Sequence, residues 1–203
     1  MVLVLVHSEC GWCCVTKMYA PDFQSCPKCG IEIEDTMLLS TFQPNLYVST
    51  ALNCCCILLK PSSDTFERYK LGDNLHIGLS NSNGVVFSYT KQGLVAESFW
   101  NDCLCIYKFS NNEMYDMRMK TFIKKYRNRF THKVQYDHYD EKNWNCYDFV
   151  VEFLLDAGIL KWSTQIKDQF VAEYICKALQ KILRYYSLLD KLSQGKANCF
   201  VLS

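Results

Sequence analysis

No stretch of this 203-residue chain approaches the roughly 18–20 consecutive apolar residues of a membrane span, so no spanning helix is expected. Charge of one sign is lacking too. The chain carries 22 basic and 21 acidic side chains for a net charge of +1, and nothing global points to nucleic acid or an anionic membrane. The start, Met1-Val2-Leu3-Val4-Leu5-Val6, has no positive n-region and too short an apolar run for a signal peptide. Cys199 stands fifth from the end, whereas a prenylation signal needs its cysteine fourth. Histidine is scarce: His7, His76, His132 and His138 are the only candidates for an imidazole base.

Cysteine is abundant. Thirteen thiols without a secretory signal imply reduced cysteines and metal binding rather than a disulfide framework, in cytosol or nucleus. A hydrophobic fraction of 49% with 14% aromatics supports a packed core, one medium domain with room for a small appendage. The appendage is legible as two C-x-x-C pairs, Cys10-Gly11-Trp12-Cys13 and Cys26-Pro27-Lys28-Cys29-Gly30. Each tight turn lets two thiolates reach one zinc at about 2.3 Å. Cys10, Cys13, Cys26 and Cys29 are therefore the expected ligands of a structural zinc, with Cys14 a substitute for Cys13. Four thiolates leave no open position for catalysis. So small a piece buries too little core to fold alone, and zinc supplies the missing stability, on the order of 10 kcal/mol.

The remaining chain reads as α+β. Residues 51–59 (ALNCCCILL) form a continuous apolar run of central-strand type, in which Cys54, Cys55 and Cys56 serve core packing. Residues 75–79 are a strand, Asn83-Gly84 is a hairpin turn, and 85–89 return. Further strands over 94–99 and 102–109 complete an antiparallel meander. A helix is predicted over 112–130, with acidic residues in its first turn and a basic end that reads as a solvated face rather than a nucleic-acid site. Another runs over 164–192 with Val171, Ile175, Ala178, Ile182, Tyr186 and Leu189 as its apolar stripe. The resulting division is an appendage over 1–35, an α+β domain over 50–193 and a tail over 194–203.

Between those helices lies the stretch of greatest chemical interest. Asn143 is a candidate N-cap and Gly158 a stop, while Cys146, Phe149, Val150, Phe153 and Ala157 share one helical face. Cys146 falls in the first turn, where backbone N–H groups and the helix dipole favour a thiolate of lowered pKa. The plain alternative is a small apolar residue on a buried face.

Leu75-His76-Ile77-Gly78-Leu79, the Asn83-Gly84 turn and the Asn145-Cys146 helix opening, in this order, resemble circularly permuted papain-like proteins of the lecithin–retinol acyltransferase and NlpC kind. The knuckle and the string L-H-I-G-L-S-N-S-N-G-V-V-F resemble the makorin-2 opposite-strand protein family. The papain-like resemblance implies Cys146 as nucleophile and His76 as base. The third, orienting group comes about a dozen residues after the histidine, which here is Ser88. A hydroxyl holds an imidazole less firmly than a carboxylate, amide or second histidine does.

Two functions follow. The first is a non-catalytic scaffold or binding module that keeps the papain-like fold and meets a protein partner through the knuckle or the C-terminal helix. The second is a cysteine hydrolase or acyltransferase working through an acyl-thioester on Cys146.

Overall fold

The computed structural model describes residues 2–6, 10, 13–17, 25–26, 28–32, 55–63, 65–98, 100–110, 112–130, 139–194 and 199–201. In chain order the elements are β1 (Val2–Val6), β2 (Cys13–Lys17), β3 (Cys56–Pro61), β4 (Leu75–Ser80), β5 (Val85–Thr90), β6 (Gly93–Ser98) and β7 (Leu104–Lys108). There follow α1 (Asn112–Tyr126), α2 (Cys146–Asp156), α3 (Ile166–Phe170), a π-helical turn (Val171–Ile175), α4 (Cys176–Ser193) and β8 (Cys199–Val201). The chain divides into two units, one of Leu46–Gln180 and one of Met1–Asn45 with Lys181–Ser203.

In the smaller unit β1, β2 and β8 form an antiparallel three-stranded sheet with β2 in the middle. Residues 199–201, within the stretch read as a tail, thus contribute a strand.

The larger unit is α+β, built on a five-stranded antiparallel sheet of order β6-β5-β4-β3-β7. The stretch β3 to β6 is the expected meander. β7 does not extend it but crosses back to pair with β3. A central place suits β3: Ile57, Leu58 and Leu59 are fully buried, as in a strand covered on both faces, and β4 and β7 pair with its two edges.

The connection from β6 to β7 carries Trp100 over the sheet, where it packs with Cys56, Leu58, Val86 and Cys103. Gly78 makes the room. A Cβ on it would lie 2.7 Å from Val86 Cγ1, 2.9 Å from Phe87 O and 3.1 Å from Trp100 Cη2.

α2 packs on β4 and β5 with α1 beside it. Phe122, Phe130, Phe149 and Phe153 are buried between them, with ring centroids 5.2–6.3 Å apart where they meet. Each buried phenyl contributes roughly 1.5–3 kcal/mol.

Four local expectations are revised. Cys55 is a bend at positive φ, 56°, so β3 begins at Cys56, and residues 51–54 lie outside the described residues. α1 stops at Tyr126, and 127–130 are turn. The N-cap of α2 is Asn145 rather than Asn143. The long C-terminal helix contains a π turn, and among its described residues the buried positions are Phe170, Ile175, Leu179 and Ile182. The five-residue step from Phe170 to Ile175 is the spacing that an i→i+5 turn tolerates and a pure α-helix does not.

Candidate functional site

The sheet opens where the chemistry collects. β3–β4 and β5–β6 are paired along their lengths, but among the described residues β4 and β5 pair only at Leu79↔Phe87 and Ser80↔Val86. Toward Leu75 and Thr90 the two strands part. His76 Nε2 and Ser88 Oγ meet across this opening at 3.1 Å, with Ser88 fully buried. The backbone N–H of Ile77, unspent on β5, donates instead to the sulfur of Cys146.

Cys146 is the first residue of α2, and local sequence places it there. Asn145 accepts from Tyr147 N at 3.0 Å, while its own N–H donates to Asp148 Oδ2 at 2.7 Å. This reciprocal cap satisfies donors that a helix start leaves unpaired. Lys167 holds the same carboxylate at 2.6 Å. Asn143 belongs to the preceding loop, where its Nδ2 donates to Asp140 Oδ2 at 3.1 Å.

The helix start offers the sulfur the N–H groups of Cys146 and Tyr147, and the N–H of Ile77 on β4 and the hydroxyl of Tyr139 add to them. The thiol pKa is nevertheless raised. Burial is the largest cause and outweighs those donors, for the side chain is 2% exposed. The lowered pKa expected from helix position alone is therefore corrected, because desolvation of the thiolate exceeds the pull of the N-terminus. His76 moves the other way, to about 4, through burial first and the nearby Lys60 charge second, against a smaller opposing effect of Glu97. At neutral pH the pair rests as thiol and free imidazole.

Cys146 and His76 line one open cleft of about 710 Å³, together with Lys60, Glu97, Tyr139 and Tyr147 among others. Lys60, Trp100 and Tyr139 escaped the sequence reading. Trp100 lies 5.4 Å from the His76 ring, centroid to centroid. No local spacing links these residues to either motif. Their placement depends on strand register and on the β6–β7 crossover.

In the smaller unit the sulfurs of Cys10, Cys26 and Cys29 lie within 4.8 Å of one another, close enough to hold a metal ion. Cys10 and Cys26 are 3.7 Å apart, far beyond a disulfide bond. The turn after Cys26 closes through Gly30 N to Cys26 O at 2.8 Å, with Gly30 at φ 73°. Within it the N–H groups of Lys28 and Cys29 point at the Cys26 sulfur. Cys13 opens β2, and its side chain lies outside the described residues, as does that of Cys14. His7, His132 and His138 are likewise outside them. Among the described residues no helix is long and apolar enough to cross a membrane.

A family model described as DUF4796 C-terminal matches residues 42–192. The MKRN2 opposite strand protein of Homo sapiens is 26% identical over 171 residues, which cover 81% of this chain and 76% of the human one. No solved structure matches.

Proposed function

The chain belongs to the DUF4796 C-terminal family, and from that premise we propose that its cleft performs thiol-based acyl transfer or hydrolysis. Cys146 is the nucleophile and His76 the base. The observation that carries this reading is that the Cys146 thiol and the His76 imidazole line one cleft at the opening between β4 and β5, with the imidazole held by the buried Ser88 hydroxyl.

With its proton on Nε2, the His76 ring donates to Ser88 Oγ, and Nδ1 keeps the lone pair. The thiol proton passes to that nitrogen as the sulfur bonds to an acyl carbon and the carbonyl π pair moves onto oxygen. Both groups are neutral at rest, so proton transfer and attack occur together rather than from a preformed ion pair. The N–H groups of Ile77, Cys146 and Tyr147 and the Tyr139 hydroxyl are the donors available to the charge that develops. Collapse expels the leaving group, which takes the proton back from His76, and leaves a thioester on Cys146. Water or an acceptor then attacks with the same base.

The order His76, Ser88, Cys146 and the split between β4 and β5 support a permuted papain-like relationship. The cysteine cluster supports a structural zinc held by Cys10, Cys26 and Cys29, with Cys13 as fourth ligand.

Incubation with a p-nitrophenyl ester should place an acyl group on Cys146, visible by peptide mass spectrometry. The acyl adduct and turnover are expected to vanish in Cys146→Ala, and the rate to fall about 10²–10⁴-fold in His76→Ala. Unchanged turnover in Cys146→Ala sinks the proposal.

A second reading, a scaffold or binding module that holds its ligand without turnover, is favoured by the raised thiol pKa and the near-complete burial of the sulfur. It predicts saturable ligand binding in the cleft with no adduct on Cys146.

A further inference from the structure

Lys60 stands directly across from His76 in the β3–β4 register, so the two side chains rise from one face of the sheet. Both line the cleft. The Lys60 ammonium lies 4.1 Å from the centroid of Trp100, whose Nε1 donates to Glu97 Oε2 at 3.0 Å. Among the described residues Lys60 has no carboxylate within ion-pair distance, whereas the cleft's other lysine, Lys91, pairs with Glu141 at 2.8 Å. The acids of the cleft are engaged. Glu97 holds Trp100, Glu141 holds Lys91, and Asp73 accepts from Lys70 N at 2.8 Å.

Lys60 is thus a half-buried cation resting on an aromatic face, and among the described residues its N–H donors are unspent. It is also one rung of the ladder from Ile77, whose N–H holds the Cys146 sulfur. Adjacent rungs send their side chains to opposite faces, so it is the shared cleft that relates Lys60 to Cys146.

We infer that Lys60 is the anion-recognising residue of the cleft, and that the acyl donor accepted at Cys146 carries a carboxylate or a phosphate. A point charge there draws the donor into the cleft that imidazole and thiol both line, and binding energy at a non-reacting group positions the reacting one. This rests on the reading that the cleft receives a substrate at Cys146, but not on turnover.

The test is alkylation by iodoacetate against iodoacetamide, near-isosteric reagents that differ by one negative charge. Rates are read separately at Cys146 and at the exposed Cys176 by peptide mass spectrometry. The iodoacetate-to-iodoacetamide ratio should be about fivefold higher at Cys146 than at Cys176 in low salt. It should fall to the Cys176 value in Lys60→Met and persist in Lys60→Arg. Protection of Cys146 from iodoacetamide by methyl phosphate rather than glutarate, or the reverse, tells phosphate from carboxylate. Equal ratios at the two cysteines in the unmodified protein overturn the inference. So does a Cys146 that neither reagent reaches at pH 9 while Cys176 reacts. Charge selection without ester turnover would retain this inference while removing the catalytic one.

Discussion

At the scale of single residues, His76 shows how burial and one neighbouring charge set chemistry. Its pKa falls from 6.5 to about 4 because a buried imidazolium is costly and Lys60 stands across the ladder from it. The unfolded chain therefore takes up a proton at higher pH than the folded one. The neutral ring contributes stability that is full above pH 6.5 and is lost as the pH falls toward 4. The loss is expected to be on the order of 2 kcal/mol after allowance for the exposed part of the ring. Urea unfolding between pH 7 and pH 4 measures it, and the pH-dependent difference between the unmodified protein and His76→Gln isolates it. A difference that stays flat across that interval contradicts the assignment.

The elements that meet at the cleft make two further expectations. The reciprocal cap between Asn145 and Asp148 holds the first turn of α2, and with it the donors around the Cys146 sulfur. Asn145→Ala should cost about 1–2 kcal/mol in denaturant unfolding. In β4 the close approach of Trp100 and β5 depends on Gly78, and two of the three contacts of an added Cβ are below 3.0 Å, one with the Phe87 backbone carbonyl. Gly78→Ala should destabilise by about 1–3 kcal/mol, because backbone cannot move aside as a flexible side chain does. A Gly78→Ala protein as stable as its parent would mean that Trp100 does not sit on β4.

These elements also show how far the sequence could be read. The strand with His76, the Asn83-Gly84 turn and the return strand announce themselves by alternation and turn chemistry, which are properties of a few adjacent residues. β7 carries no local mark of its partner. The apolar run of β3 marks that strand as central, but its pairing with β7 joins residues some fifty positions apart and no short window encodes it. The sequence does not single out the cap of α2, because Asn143 and Asn145 are equally good caps by type. The loop hydrogen bonds to Asp140 decide between them.

For the molecule as a whole, the two units call for different measurements. The Cys10, Cys26 and Cys29 cluster predicts about one zinc released per chain on denaturation, read with a colorimetric chelator. Stripping the metal from the native protein should raise amide exchange around residues 25–32, since metal binding and folding are coupled in a unit with so little core. Metal-free protein with unchanged exchange there argues against a structural ion.

By itself the sequence determined the α+β class of the larger unit, the helix with Cys146 in its first turn, the strand that holds His76 and the turn that gathers cysteines. All of these depend on periodicity, capping and spacing within a short window. Only the tertiary structure decided that β4 and β5 part below Leu79, that Lys60 and Tyr139 line the same cleft, and that Trp100 packs beside His76. It also reversed the expected shift of the thiol. Helix position is a local property, but the desolvation that opposes it depends on everything packed around the sulfur, and that arrangement exists only once distant strands have found their register.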